Sequence, residues 1–172
     1  PAEKFGFVVL NNSNDGVLNE AIKRALFTAR AGGDGLAEVD RLAKVRERVR
    51  ARDAAEIKQR EAARIADTRL RLPLAGYAAH YEDAIYGPAE VTLEGEQLHL
   101  TLVPSKRRIF GKLVHWHHDT FRCDFPDTFL PFALVRFDFD HRGAVAGFRI
   151  DCPIADFDFG ALDFRKQAVK GR

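Results

Sequence analysis

The sequence predicts an α+β protein: an N-terminal strand and helix, a long linker helix, and an antiparallel β-barrel or strongly coiled sheet over residues 73–168. Three observations carry that reading. Apolar residues recur every three to four positions from Leu18 to Val49, the period of a helix with one buried stripe. From Pro73 onward the period falls to two, as where Val135, Phe137 and Phe139 alternate with Arg136, Asp138 and Asp140. Turn formers such as Glu94-Gly95-Glu96 and His141-Arg142-Gly143 punctuate that second region.

Taken in order, Phe5-Gly6-Phe7-Val8-Val9-Leu10 is a short apolar run ended by Asn11-Asn12-Ser13-Asn14-Asp15-Gly16, and it reads as a buried strand. Leu18, Ile22, Ala25, Leu26 and Ala29 predict an amphipathic helix over residues 17–30, stopped by Gly32-Gly33-Asp34-Gly35. Residues 36–70 hold no glycine or proline and are dense in charge. Leu36, Val39, Leu42, Val45 and Val49, weakening to Ala54, Ile57 and Ile65, predict a long helix with a narrow apolar seam. That helix is expected to pack on the β domain or bridge it to another domain, with a coiled-coil dimer as the alternative. Strands are predicted over residues 89–93, 97–103, 112–125, 132–139, 144–152 and 157–164, with Ala146, Phe148, Ile150 and Cys152 set against Arg149 and Asp151. Short antiparallel strands in succession, apolar on one side, close most simply as a meander.

Composition excludes several classes. Hydrophobic content of 46% and charged content of 30% are those of a globular protein. The net charge of +2, with arginines and acids interleaved on the long helix, argues against nucleic acid and against an anionic membrane surface. No apolar run is long enough to enter a bilayer as a helix. The chain has no methionine and opens at Pro1, so we expect a piece of a longer protein whose targeting signal would lie upstream. Cys123 and Cys152 fall on the apolar side of the alternation. Two buried thiols are the expectation, and a disulfide is the alternative.

The segment His115-Trp116-His117-His118-Asp119-Thr120-Phe121 is the most distinctive stretch. Leu74-x-x-Tyr77 and Tyr86-Gly87 precede it, and Val135-x-Phe137, Gly143 and Phe157-Asp158-Phe159 follow. This ordered set resembles the C-terminal domain of unknown function that follows the catalytic domain in many serine hydrolases of the β-lactamase and penicillin-binding-protein type. Residues 5–30 are similar to the strand, Asn-rich turn and closing helix that end such catalytic domains. The resemblance implies a remnant of that domain over residues 1–35, a linker helix over 36–72 and a lipocalin-like barrel over 73–168. It also favours a periplasmic or extracellular parent.

The parent chemistry would need Ser-x-x-Lys, Tyr-x-Asn and Lys-Thr-Gly. The two serines do not supply it. Ser13 has no lysine three residues on, and Ser105 is followed by Lys106-Arg107-Arg108, with arginine where the activating lysine belongs; arginine stays protonated. Tyr77, Tyr81 and Tyr86 are followed two residues later by Ala79, Asp83 and Pro88, and Lys-Thr-Gly does not occur. No catalytic residue, cofactor or metal is therefore expected of this chain.

On a single strand over 112–125, His115, His117, Asp119 and Cys123 would share one face, an arrangement able to hold a metal. Phe121 and Phe125 would share it too, so a hydrogen-bonded structural cluster is the stronger reading. The candidate pocket or structural cluster is Tyr77, Tyr86, His115, Trp116, His117, Asp119 and Thr120. Asp138, Asp140, Asp151, Asp156 and Asp158 read as a solvated outer face, and residues 105–108 as a basic loop. The 14 phenylalanines are expected to fill the barrel rather than line a ligand cavity. Function is thus expected to be that of a non-catalytic accessory domain, for self-association or for bordering the parent's active site. A lipocalin-like module for a small molecule or substrate is the alternative. The expected partners are the parent catalytic domain and a second copy of the chain.

Overall fold

The computed structural model describes residues 5–10, 16–127, 129–154 and 157–168, and it divides into two compact units, residues 1–62 and 63–172. In the first unit, residues 5–10 form no regular structure, where a strand was expected. A strand exists only through a hydrogen-bonded neighbour, and among the described residues this segment has none. Its Phe7 ring instead lies 5.5 Å from Phe27 of helix α1 (Gly16–Arg30). The expected turn at residues 11–15 lies outside the described residues. Asp34 caps helix α2 (Gly35–Ala62) by accepting the N–H groups of Leu36 and Ala37 at 3.0 and 3.1 Å. The helices pack on each other around Ala21 and Leu42, and the seam beyond stays open, with Ile57 41% exposed.

Helix α2 stops at Ala62, eight residues short of the expected end. No glycine or proline marks the stop. What ends it is competition: side chains of the second unit capture the backbone N–H groups of Ile65 and Arg71, which a helix would have needed.

The second unit is a closed barrel of eight strands: β1 (Ala79–Asp83), β2 (Gly87–Glu94), β3 (Gln97–Leu102), β4 (Phe110–His117), β5 (Thr120–Cys123), β6 (Ala133–Phe139), β7 (Val145–Asp151) and β8 (Phe164–Lys166). Each pairs antiparallel with the next. Strand β8 closes on β1 through Tyr81–Lys166 and Glu82–Arg165, which leaves no free sheet edge. Gly95, at φ +60°, makes the expected turn between β2 and β3.

The expected strands need four corrections. Strand β1 was not anticipated, because His-Tyr-Glu-Asp offers one large apolar side chain, Tyr81, to mark the buried face. Residues 112–125 make two strands, separated at His118-Asp119. Residues 157–164 contain a 3-10 turn, Phe159–Ala161, whose Gly160 N–H donates to the Asp158 carboxylate at 3.0 Å, so the strand starts only at Phe164. A register shift between Asp138 and Phe139 also turns Val145 inward, leaving Ala146 half-buried where the alternation placed it inside.

The barrel interior is filled by interlocked rings. Tyr81 and Phe164 lie 4.9 and 4.7 Å from Phe148, and Tyr77 and Phe121 lie 5.0 and 5.6 Å from Phe137. Leu98, Leu100, Leu102, Val135 and Ile150 complete the same core. Both cysteines are buried free thiols. Cys123 pairs with Ala133 and Leu134 with Asp151, so β6 stands between the cysteines. Two strand spacings are about 10 Å, beyond the roughly 7 Å a disulfide can bridge.

Candidate functional site

The distinctive histidine-rich segment forms the β4–β5 hairpin. Its two-residue loop places His118 at φ +45°, a left-handed conformation that histidine adopts more readily than branched residues do. A register shift precedes the loop: His115 pairs with Phe121, and two residues later His117 pairs with Thr120. The extra residue turns His117 to the outer face with Thr120, while His115 stays on the side of the buried Phe121. The single-face arrangement of His115, His117, Asp119 and Cys123 therefore does not exist. Among the described residues no group of three or more His, Cys, Asp or Glu could hold a metal ion.

The hairpin clasps the irregular strap of residues 64–72. Arg64 Nε–H donates to the Trp116 carbonyl at 2.8 Å, and the Ile65 N–H donates to His117 Nδ1 at 3.3 Å. The His118 N–H donates to Thr68 Oγ1 at 2.8 Å, and the Arg71 N–H donates to Asp119 Oδ1 at 2.9 Å. The Tyr77 hydroxyl donates to that same Asp119 oxygen and accepts the Leu72 N–H at 3.3 Å. The His115 ring closes the loop through Nε2 and the His118 carbonyl at 2.8 Å. A strap without helix or sheet partners must satisfy its N–H groups elsewhere, and these side chains do so for Ile65, Arg71 and Leu72.

Trp116 lies outside the barrel core, 5.7 Å from Phe132, with the guanidinium groups of Arg64 and Arg122 at 5.3 and 5.9 Å from its ring. Its Nε1 is buried without a hydrogen-bond partner among the described residues. Tyr86 is not part of this cluster. It follows β1 whereas Tyr77 precedes it, so it sits at the other end of the barrel, donating to Ser105 Oγ at 2.9 Å. The structure thus gathers Tyr77, His115, Trp116, His117, Asp119 and Thr120 at one end and leaves Tyr86 apart.

Burial, reinforced by the bond to Asp119, pushes the Tyr77 hydroxyl up to about 12, so it stays a donor. Burial first, then His118, His115 and Arg64, holds the His117 imidazole below its ordinary value. It is neutral at pH 7, and because Nδ1 accepts from Ile65 the proton sits on Nε2.

Two features escaped the sequence reading. Asp83, 5% exposed, accepts the N–H groups of Ile85, Tyr86 and Asp163 at 2.9, 2.7 and 2.7 Å, tying the β1–β2 turn to the approach to β8. Its signal was an Asp two residues before a turn. An open cleft of about 300 Å³ on the outer wall is lined by His117, Thr120, Leu134, Arg136, Arg149 and Asp151. The Arg136/Asp138 and Arg149/Asp151 pairs were its trace, read as an ordinary solvated face.

The model of a family described as a domain of unknown function (DUF3471) matches residues 63–168. Among solved structures, the chain is similar to the C-terminal domain of penicillin binding protein Rv0907, with 25% identity over 61% of this chain and 94% of that one, at a TM-score of 0.46. No curated protein matches it.

Proposed function

The chain belongs to the family described as the domain of unknown function DUF3471, and from that premise we propose that it is a non-catalytic accessory domain working through its outer surface, beside a β-lactamase-like serine hydrolase domain of the same protein. The observation that carries this reading is the filled interior. Tyr77, Tyr81, Phe121, Phe148 and Phe164 are each at most 1% exposed and joined in one ring network through Phe137, so a ligand would have to displace the core. His115, His117, Asp119 and Tyr77 at the barrel end are spent on backbone groups and on one another rather than arranged as nucleophile and base. The same packing counts against a lipocalin-like binding module. The parent hydrolase is supported by the motif order and by the resemblance of residues 5–30 to the end of such a catalytic domain.

In this reading the surface serves self-association or borders the parent's active site. Light scattering of the chain beside a version spanning residues 63–172 tests it. A shared, defined oligomer supports assembly through the barrel. Association of the longer version alone assigns it to residues 1–62. Two monomers overturn self-association and leave the bordering role, which removal of residues 63–172 from the full protein then tests through its hydrolytic rate. Turnover of a chromogenic β-lactam by this chain would overturn the non-catalytic reading.

A further inference from the structure

We propose that the outer wall of the barrel carries a binding site for a small oxyanion, a carboxylate or phosphate group, built from His117, Thr120, Arg136 and Arg149. The site stands independently of the accessory role above. The register sets these residues in one row across four consecutive strands: His117 opposite Thr120, Thr120 opposite Arg136, and Arg136 opposite Arg149. The row lines the cleft of about 300 Å³, a volume at the small end of those that hold ligands.

Three features separate this row from an ordinary solvated face. Two arginines directly opposite on neighbouring strands repel each other. Asp138 offsets that repulsion incompletely, from 3.6 Å to Arg136 Nε and 3.9 Å to Arg149 Nε, and Asp163 lies 3.5 Å from Arg149. These separations exceed hydrogen-bond length, so the guanidinium groups keep N–H donors for a ligand, and an oxyanion between them would accept charge-assisted bonds. Thr120 is the second feature. It is 7% exposed and lines the cleft between His117 and Arg136, with a hydroxyl able to donate to an oxyanion. The third is His117, which the bulge turns outward and whose protonated Nε2 is a donor.

The lining is weighted toward anions. It holds two guanidinium groups against one carboxylate, Asp151, which lies opposite Leu134 and not in the row. A cation would meet both arginines. An oxyanion would meet donors from four strands.

The test is titration of the ¹⁵N-labelled chain with sodium phosphate and, separately, sodium glutarate, at ionic strength held constant with chloride. Saturable amide shifts confined to residues around 117–120, 134–136 and 149–151 are expected with at least one probe, and the responding probe identifies the class. Arg136→Gln and Arg149→Gln should each weaken binding about tenfold or more, as loss of a charge-assisted bond predicts, while Arg107→Gln in the basic turn should change nothing. Shifts that grow linearly with concentration, spread over other basic residues, or persist within threefold in both row variants would overturn the site. The unsubstituted chain decides alone if a variant fails to fold, because a non-saturating response there is already fatal to the proposal.

Discussion

The Tyr77 hydroxyl and the Arg71 N–H meet on one oxygen, Oδ1 of Asp119, so a single carboxylate joins the strap before β1 to the tip of the β4–β5 hairpin. The two donors are not equivalent. Tyr77→Phe removes the bond to Asp119 and the longer one from the Leu72 N–H but leaves Asp119 its Arg71 partner, which should cost about 1–2 kcal/mol. Asp119→Ala orphans both donors at once and should cost about 2–3 kcal/mol. The double variant should lose less than the sum of the singles, since both act on one contact. Urea unfolding checks all three; an Asp119→Ala chain as stable as the parent would mean the clasp does not hold the strap.

Alkaline pH should weaken the barrel through three buried groups, Cys123, Tyr77 and Tyr81. Burial, then the charge of Asp124 and the neighbouring Cys152, pushes the Cys123 thiol up to about 12, and Tyr77 is pushed up to about 12 as well. Burial raises the Tyr81 hydroxyl further. Each folded-state value lies above the unfolded one, so the unfolded chain loses its protons first. The stability these groups contribute is full below about pH 9 and is lost as pH rises through about 12. Urea midpoints between pH 8 and 11 should fall steadily, and Cys123→Ala should flatten the fall between pH 9 and 10.

How much of this was legible follows from where the signals lie. The barrel was legible because Val135, Phe137 and Phe139 face a core while Arg136 and Asp138 face water, and burial on one side imposes a period of two. The hairpin inside 112–125 was not, because a two-residue turn at His118-Asp119 uses neither glycine nor proline, and a bulge at Trp116 erases the alternation that would have exposed it. Six of the seven candidate cluster residues gather because the motif serves one local structure. The arginine row was illegible because it depends on register between strands, which no single strand encodes.

Acid should act through Asp83. Burial alone would raise its carboxyl, but the N–H groups of Tyr86, Asp163 and Ile85 outweigh it and hold the carboxyl below the ordinary range. The folded-state value is the lower one, so the unfolded chain takes up the proton first as pH falls. The contribution is complete above about pH 4 and is lost as pH drops through the folded value. Asp83→Asn keeps one acceptor oxygen of the two and should cost about 1.5–3 kcal/mol at pH 7. The variant should also lose part of the decline in stability between pH 5 and 2.5, the rest being carried by Glu20, Glu38, Asp127 and Asp140, which are likewise held low. An unchanged acid limb in the variant would assign acid sensitivity wholly to those four.

Closure of the barrel should depend on a missing side chain. At Gly147 an added Cβ would lie 2.3 Å from the Phe164 carbonyl oxygen and 3.4 Å from Arg165 Cα. Those atoms are backbone of β8, which pairs with β7 at this point and with β1 on its other side. A flexible side chain could swing away, whereas this backbone can retreat only by loosening the closing strand. Gly147→Ala should therefore destabilise the barrel by about 3 kcal/mol, the upper end of overpacking. Gly6→Ala, where a Cβ meets nothing within 4 Å, provides the comparison and should stay within about 0.5 kcal/mol. Amide exchange at Phe164–Lys166 should rise in the Gly147 variant before exchange in β3 and β4 does, because the strain enters at β8. Uniform exchange across the barrel would instead mean that the strands open as one unit, and wild-type stability would mean that β7 and β8 do not approach as closely as this register requires.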